Sequence, residues 1–206
     1  MNLSLTASIE PQFHTIDGIR IRYADSGGSR EPVVLLTSPW PESVYAFSPM
    51  WATPSRARRG NSAALFAAAA APERIASVIV GTGGAAVPLE LGEKLKSWVL
   101  DPASTSTAGW TRARSSTRRW TRSPAGYARR YPEELPELAE LLAQITTPVT
   151  IVNGRHDRVV PVANAEFLDE RLPTSRVALI DAGRFVWEEA PAEYAAIILD
   201  SITGSR

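Results

Sequence analysis

The chain has 206 residues, two histidines, no cysteine, and 22 basic side chains that balance 22 acidic ones. That length fits one domain with or without an insert, and the lack of cysteine excludes disulfide staples, thiolate metal sites and cysteine nucleophiles. Zero formal net charge gives no whole-surface attraction to nucleic acid or membrane, and His14 and His156 are too little material for an imidazole metal cluster.

Residues 13–27 begin with a hairpin signal: Ile16, Ile19, Ile21 and Tyr23 alternate around a turn at Asp17-Gly18. Pro32 then precedes Val33 to Leu36, a continuous apolar run of the kind buried on both faces of a parallel sheet. It ends where Pro39 and Pro41 forbid further ladder pairing. Asn61 or Ser62 is expected to cap a helix that runs through the alanines and stops at Pro72. Ala76 to Val80 reads as a second buried strand closed by glycines, and Leu89 to Leu100 as an amphipathic helix. Residues 103–130 are dominated by serine, threonine and arginine, with Trp110 and Trp120. Nothing there has a core-forming period, so the expectation is a disordered or loosely packed segment.

Order returns at Glu133. A helix is expected with Leu135, Leu138, Leu141, Leu142 and Ile145 on one stripe, then a buried strand in residues 146–157 ending at a glycine turn. A helix over 164–172 follows, a strand over 176–183, and a last helix over 191–203 with Ala192, Ala195, Ala196 and Ile198 toward the core. Helix and strand in alternation imply an α/β fold: a mostly parallel sheet, right-handed crossovers, and helices on both faces. The chain divides into an N-terminal part of the core (13–100), an arginine- and serine-rich irregular segment in place of a cap (101–132), and a C-terminal part of the core (133–203).

Four stretches resemble the α/β-hydrolase superfamily, in its esterase, epoxide hydrolase and haloalkane dehalogenase branches. PVVLLTSPWPES resembles the third strand and oxyanion loop. GNSAALFAAAAAPERIASVIVGTG resembles the back half of a nucleophile elbow, its helix and the next strand. ITTPVTIVNGRHDRVVPVANAEFLDERLP resembles the strand and loop that present the catalytic acid. LIDAGRFVWEEAPAEYAAIILDSI resembles the histidine loop and last helix, with Glu188-Glu189 where the family has acids. The resemblance implies an incomplete version of that sheet. Only residues 52–59 separate Trp51 from Gly60, and the missing strand–helix–strand of such a fold needs ~30 residues or more. The arginine-rich text at 55–59 and 103–130 suggests deletion or frame damage.

The family's chemistry uses a nucleophile on a strained turn, a histidine base and a buried carboxylate that orients it. The resemblance puts Asp157 at the acid position. It puts Arg184 where the histidine belongs, and a guanidinium cannot act as a base at neutral pH. With Gly60 as the last glycine of the elbow, Arg58 takes the nucleophile's place, leaving Ser62 as the nearest downstream hydroxyl. Thr37 and Ser38 carry the N–H groups that would face an oxyanion, and Trp40 would line the pocket or simply pack. His156 reads as a solvated loop histidine and His14 as structural.

The function implied is hydrolysis of an ester, epoxide or carbon–halogen bond, with water as co-substrate and no metal or organic cofactor. Two of the three triad groups are replaced, so the alternative is an inactive remnant or binding protein that keeps a small-molecule pocket. Arginine interleaved with tryptophan in 103–130 would suit a polyanion; a solvated linker is the favoured reading, and nucleic acid is not expected as a partner. Residues 1–12 contain no lysine or arginine, and the longest apolar run, 63–71, is too short to span a bilayer. A cytoplasmic protein without membrane contact is the expectation, with a homodimer through exposed sheet edges as one outcome of the missing strands.

Overall fold

Valine and isoleucine crowd two short runs, 78–80 and 149–152, and branched side chains of this kind suit a pleated surface covered on both sides. In the computed structural model, which describes residues 10–16, 18–25, 61–83 and 131–204, both runs are strands and they lie side by side. In chain order the elements are β1 (Gln12–Ile16), β2 (Ile19–Tyr23), α1 (Asn61–Ala70), β3 (Val78–Gly81) and α2 (Tyr131–Leu141). They continue with β4 (Val149–Gly154), α3 (Ala163–Asp169), β5 (Ser175–Ile180), α4 (Val186–Glu189) and α5 (Pro191–Thr203).

β1 and β2 form the expected antiparallel hairpin, with Ile16 opposite Ile19. Gly18 occupies the turn at φ +76°, a region glycine enters without steric cost. Phe13 is exposed on this hairpin, and the Arg20 guanidinium stacks 4.1 Å from its ring centre.

The second sheet has the order β3-β4-β5, parallel throughout. β4 is its middle strand, and all six of its residues are buried. Its side chains alternate between two cores, as the strand period of two requires. Val149 and Ile151 join Leu65, Leu138, Leu142 and Ile145 beneath α1 and α2. Val152 joins Ile180, Val186, Trp187, Tyr194 and Ile198 beneath α4 and α5. Helices therefore cover both faces of a mostly parallel sheet. β5 is only partly covered, and Val177 on it is exposed.

Several expectations shift in detail. β3 starts at Val78 rather than Ala76, and Asn61 and Ser62 fall inside the first turn of α1 rather than ahead of it. The covered stripe runs from Leu135 and Leu138 on α2 into Leu142 and Ile145 of the 3-10 turn that follows it; Leu141 is half-buried. On α5 the expected stripe holds for Ile198, which is buried, and for Ala195, which packs against the core, and fails for Ala192 and Ala196. Tyr194, Ile198 and Ser201 face the core, whereas Ala192 and Ala196 are exposed. Both stripes have helical spacing, and the one offering more apolar area wins, because a tyrosine ring hides far more surface than a methyl group. α4 falls within the stretch read from sequence as a loop. The expected strand at 33–36, the helix at 89–100 and the irregular segment 103–130 lie outside the described residues.

Candidate functional site

Two backbone loops meet where β4 ends. The N–H of Arg155 donates to the Ile180 carbonyl at 2.9 Å and that of His156 to the Ala182 carbonyl at 3.0 Å. Contact this close needs a glycine. A Cβ on Gly154 would lie 2.0 Å from the Gly183 carbonyl oxygen and 2.6 Å from that of Ala182. The NGRHD turn is thereby zipped to the DAGRF loop after β5, and each loop brings one buried charged side chain to the junction.

Asp157 is the first. Its side chain is fully buried, with Oδ1 accepting the N–H groups of Val159 at 2.8 Å and Val160 at 2.9 Å. Asn153 steadies this loop from below, donating through Nδ2 to the Val160 carbonyl at 3.4 Å. The second oxygen, Oδ2, faces Arg184 Nη1 at 3.2 Å. The same Nη1 donates to the backbone carbonyl of Thr82, the residue that follows β3. Arg184 is 14% exposed and Asp157 0%, so this is a buried ion pair in which neither charge meets bulk water freely.

The carboxyl ends of all three described parallel strands thus converge: β3 through Thr82, β4 through Asp157, β5 through Arg184. In open α/β sheets that edge is where ligands bind. Thr82 has a further mark. It holds φ +47°, strained for a β-branched residue. Its N–H donates to the Val152 carbonyl at 3.1 Å, and its buried Oγ1 has no hydrogen-bond partner among the described residues.

Neither histidine hydrogen-bonds Asp157. His156 points its Nε2 to Asp181 Oδ1 at 2.7 Å, with both side chains mostly exposed, and His14 lies exposed on β1. Ser62 belongs to the first turn of α1. Thr37, Ser38, Trp40 and Arg58 lie outside the described residues. Thr82 and Glu189 are the participants that sequence reasoning missed. Glu189 accepts backbone N–H groups on both sides of Arg184, from Gly183 at 2.8 Å and Phe185 at 3.0 Å. Its neighbour Glu188 has a raised pKa, first through burial and then through the charge of Glu189. The GTGG text after β3 and the acidic pair at 188–189 were visible as motifs, but their partners were not. Among the described residues no group of three His, Asp or Glu side chains is placed to hold a metal ion, and no helix is long and apolar enough to cross a membrane.

No protein-family model matches the sequence, and no curated protein sequence does. Solved structures do match. A thioesterase domain from the curacin biosynthetic pathway is 15% identical, with 94% of this chain and 100% of that chain covered and a TM-score of 0.68. A hydrolase from Pseudomonas aeruginosa PA01 is 14% identical, with 97% and 98% covered and a TM-score of 0.67. A membrane phospholipase A, described as a bacterial virulence factor, is 15% identical, with 96% and 87% covered and a TM-score of 0.66. Taken with the parallel sheet and its two helical layers, this likeness over nearly the whole chain shows that the protein has the α/β-hydrolase fold.

Proposed function

We propose that this hydrolase-fold protein binds a small organic molecule at the carboxyl edge of its sheet and does not turn it over through a triad. The observation that supports the reading is the Asp157–Arg184 pair. The oxygen of Asp157 that would orient an imidazole is engaged by a guanidinium, which holds its proton at any ordinary pH. Of the two histidines, His156 is hydrogen-bonded to Asp181 and His14 lies exposed on β1. In this reading Asp157 is the orienting acid, and among the described residues no base stands against it. In this reading Arg184 and Arg58 replace the base and the nucleophile, Thr37 and Ser38 retain the oxyanion loop, and Trp40 contributes to the pocket. No metal or organic cofactor takes part.

The ligand class follows from the fold neighbours, one named a thioesterase and one a phospholipase A: a small ester or thioester, or the acid released from one. A panel of short p-nitrophenyl esters and epoxides, offered to the full chain, is expected to release product at the buffer rate. Asp157→Asn is expected to change nothing in that assay, while calorimetry with non-hydrolysed ester analogues detects binding. Turnover that disappears in Asp157→Asn would sink the proposal.

Those same neighbours favour a second reading, a weak ester hydrolase with Ser62 as nucleophile. A reactive organophosphonate distinguishes the two, since covalent labelling of Ser62 belongs only to the second. The cytoplasmic setting, the division at residues 101–132 and pairing of two copies through a sheet edge are part of the same proposal. Sedimentation at several concentrations tests the pairing.

A further inference from the structure

We infer that Glu189 is the positioning residue that aims Arg184 at Asp157, in the site whose functional reading is proposed above. Both oxygens of its carboxylate are used on backbone N–H groups, Oε2 on Gly183 at 2.8 Å and Oε1 on Phe185 at 3.0 Å. These are the residues immediately before and after Arg184. The anchored N–H groups belong to the Ala182–Gly183 and Arg184–Phe185 peptides, so the carboxylate clamps the two ends of the Gly183–Arg184 segment and restrains the φ and ψ angles between them, and with these the direction in which the arginine side chain departs. Bonds from N–H groups to a carboxylate are among the stronger hydrogen bonds, and here two act on one short loop.

The fit is close. A Cβ on Gly183 would stand 3.1 Å from Oε1 and 3.2 Å from Oε2, so the glycine allows the carboxylate to approach. Glu189 is itself placed by α4, which is anchored by the buried Val186 and Trp187. A chain of positions results: core side chains set α4, α4 sets Glu189, and Glu189 sets the loop. The loop then delivers a long, flexible arginine to two acceptors just past the ends of β3 and β4, the Thr82 carbonyl and Asp157 Oδ2. Arginine side chains carry about 2 kcal/mol of rotamer freedom, so a guanidinium on an unfixed loop would not stay against a buried carboxylate.

A residue that only stabilised the end of α4 would affect unfolding and leave the guanidinium unchanged. The test therefore reads Arg184 directly, by nitrogen NMR of the ligand-free full chain, with Arg184→Lys assigning its signals. In the wild type, Arg184 Nη resonances are expected apart from the averaged signal of exposed arginines, because rotation of the held guanidinium is slow. Glu189→Ala is expected to merge them into the average. Glu189→Gln keeps one acceptor of two and is expected to give an intermediate spectrum. Unchanged Arg184 signals in Glu189→Ala would overturn the inference. If that variant does not fold, Glu189→Gln decides: unchanged signals overturn it, and shifted or broadened ones support it. No ligand enters the measurement, so a failure here leaves the binding proposal standing, and a failure of the binding proposal leaves this result interpretable.

Discussion

Tyr194 shows how one side chain ties packing to proton binding. It is buried on α5, its ring edge-on to Trp187 with centres 6.3 Å apart. Burial pushes its phenol up to about 12, from an ordinary value of 10.0. The unfolded chain therefore loses this proton at lower pH than the folded one, and stability falls as pH rises from 10 through 12. Two pK units correspond to about 3 kcal/mol when lost in full, of which about 2 kcal/mol is gone by pH 12. Tyr194→Phe removes the ionisable group and keeps the ring, so its unfolding free energy is expected to fall less than that of the wild type between pH 10 and 12. Urea titrations across that range measure the difference, and parallel curves for the two proteins would contradict the argument. At the same scale, the sequence revealed Asp157 but not its surroundings. A carboxylate after a buried strand and a glycine is a legible motif. That its two oxygens would divide between loop N–H groups and a guanidinium 27 positions away is a matter of tertiary approach. Thr82 and Glu189 were missed for the same reason, because their partners are chosen by loop geometry rather than by spacing.

The secondary-structure elements were easier to foresee than the faces they bury. The strand at 149–154 was legible because its apolar run is short, branched and bounded by proline and glycine. The stripe on α2 was legible because its leucines stand at helical spacing among polar residues. α5 misled because nearly every turn offers something apolar, so periodicity alone did not choose between the alanine face and the Tyr194–Ile198–Ser201 face. The choice is made by size, and by a polar stitch that no hydrophobic pattern records. Ser201 Oγ lies 2.8 Å from Thr150 Oγ1 on β4, Arg176 Nε on β5 donates to that same Thr150 oxygen at 3.1 Å, and Arg176 also pairs with Asp200. α5 is thus fixed to two strands by hydrogen bonds as well as by burial. Truncation on the two faces is expected to separate cleanly. Ile198→Ala, at 1% exposure, should cost about 3 kcal/mol through lost transfer energy and a cavity. Ala196→Lys on the exposed face should stay within about 0.5 kcal/mol. Denaturation midpoints of the two variants check this, and a large loss at Ala196 would return the alanine face to the core.

In the molecule as a whole, β4 links what would otherwise be two separate cores. Ile151 packs with the layer beneath α1 and α2, and the adjacent Val152 with the layer beneath α4 and α5. The backbone they share pairs with β3 on one edge and with β5 on the other. Opening either layer exposes one face of the same strand, and a strand cannot remain paired while one of its faces enters water without losing burial on the other. The two layers are expected to unfold together. The fold class was readable in advance because alternating helices and buried strands admit few other arrangements. The candidate site was placed by the rule that such sheets bind ligands at their carboxyl edge. What the alternation does not encode is how strongly the layers are coupled. Ile151→Ala and Val152→Ala test that from opposite sides. Each is expected to lower a single transition, by about 3 kcal/mol for the isoleucine and somewhat less for the smaller valine, with far-UV circular dichroism and tryptophan fluorescence giving one coincident curve in both variants. Two separated transitions, one moved by Ile151→Ala and the other by Val152→Ala, would mean that the layers fold independently. In that case the Asp157–Arg184 pair, carried by the loops after β4 and β5, would depend on the α4–α5 layer alone.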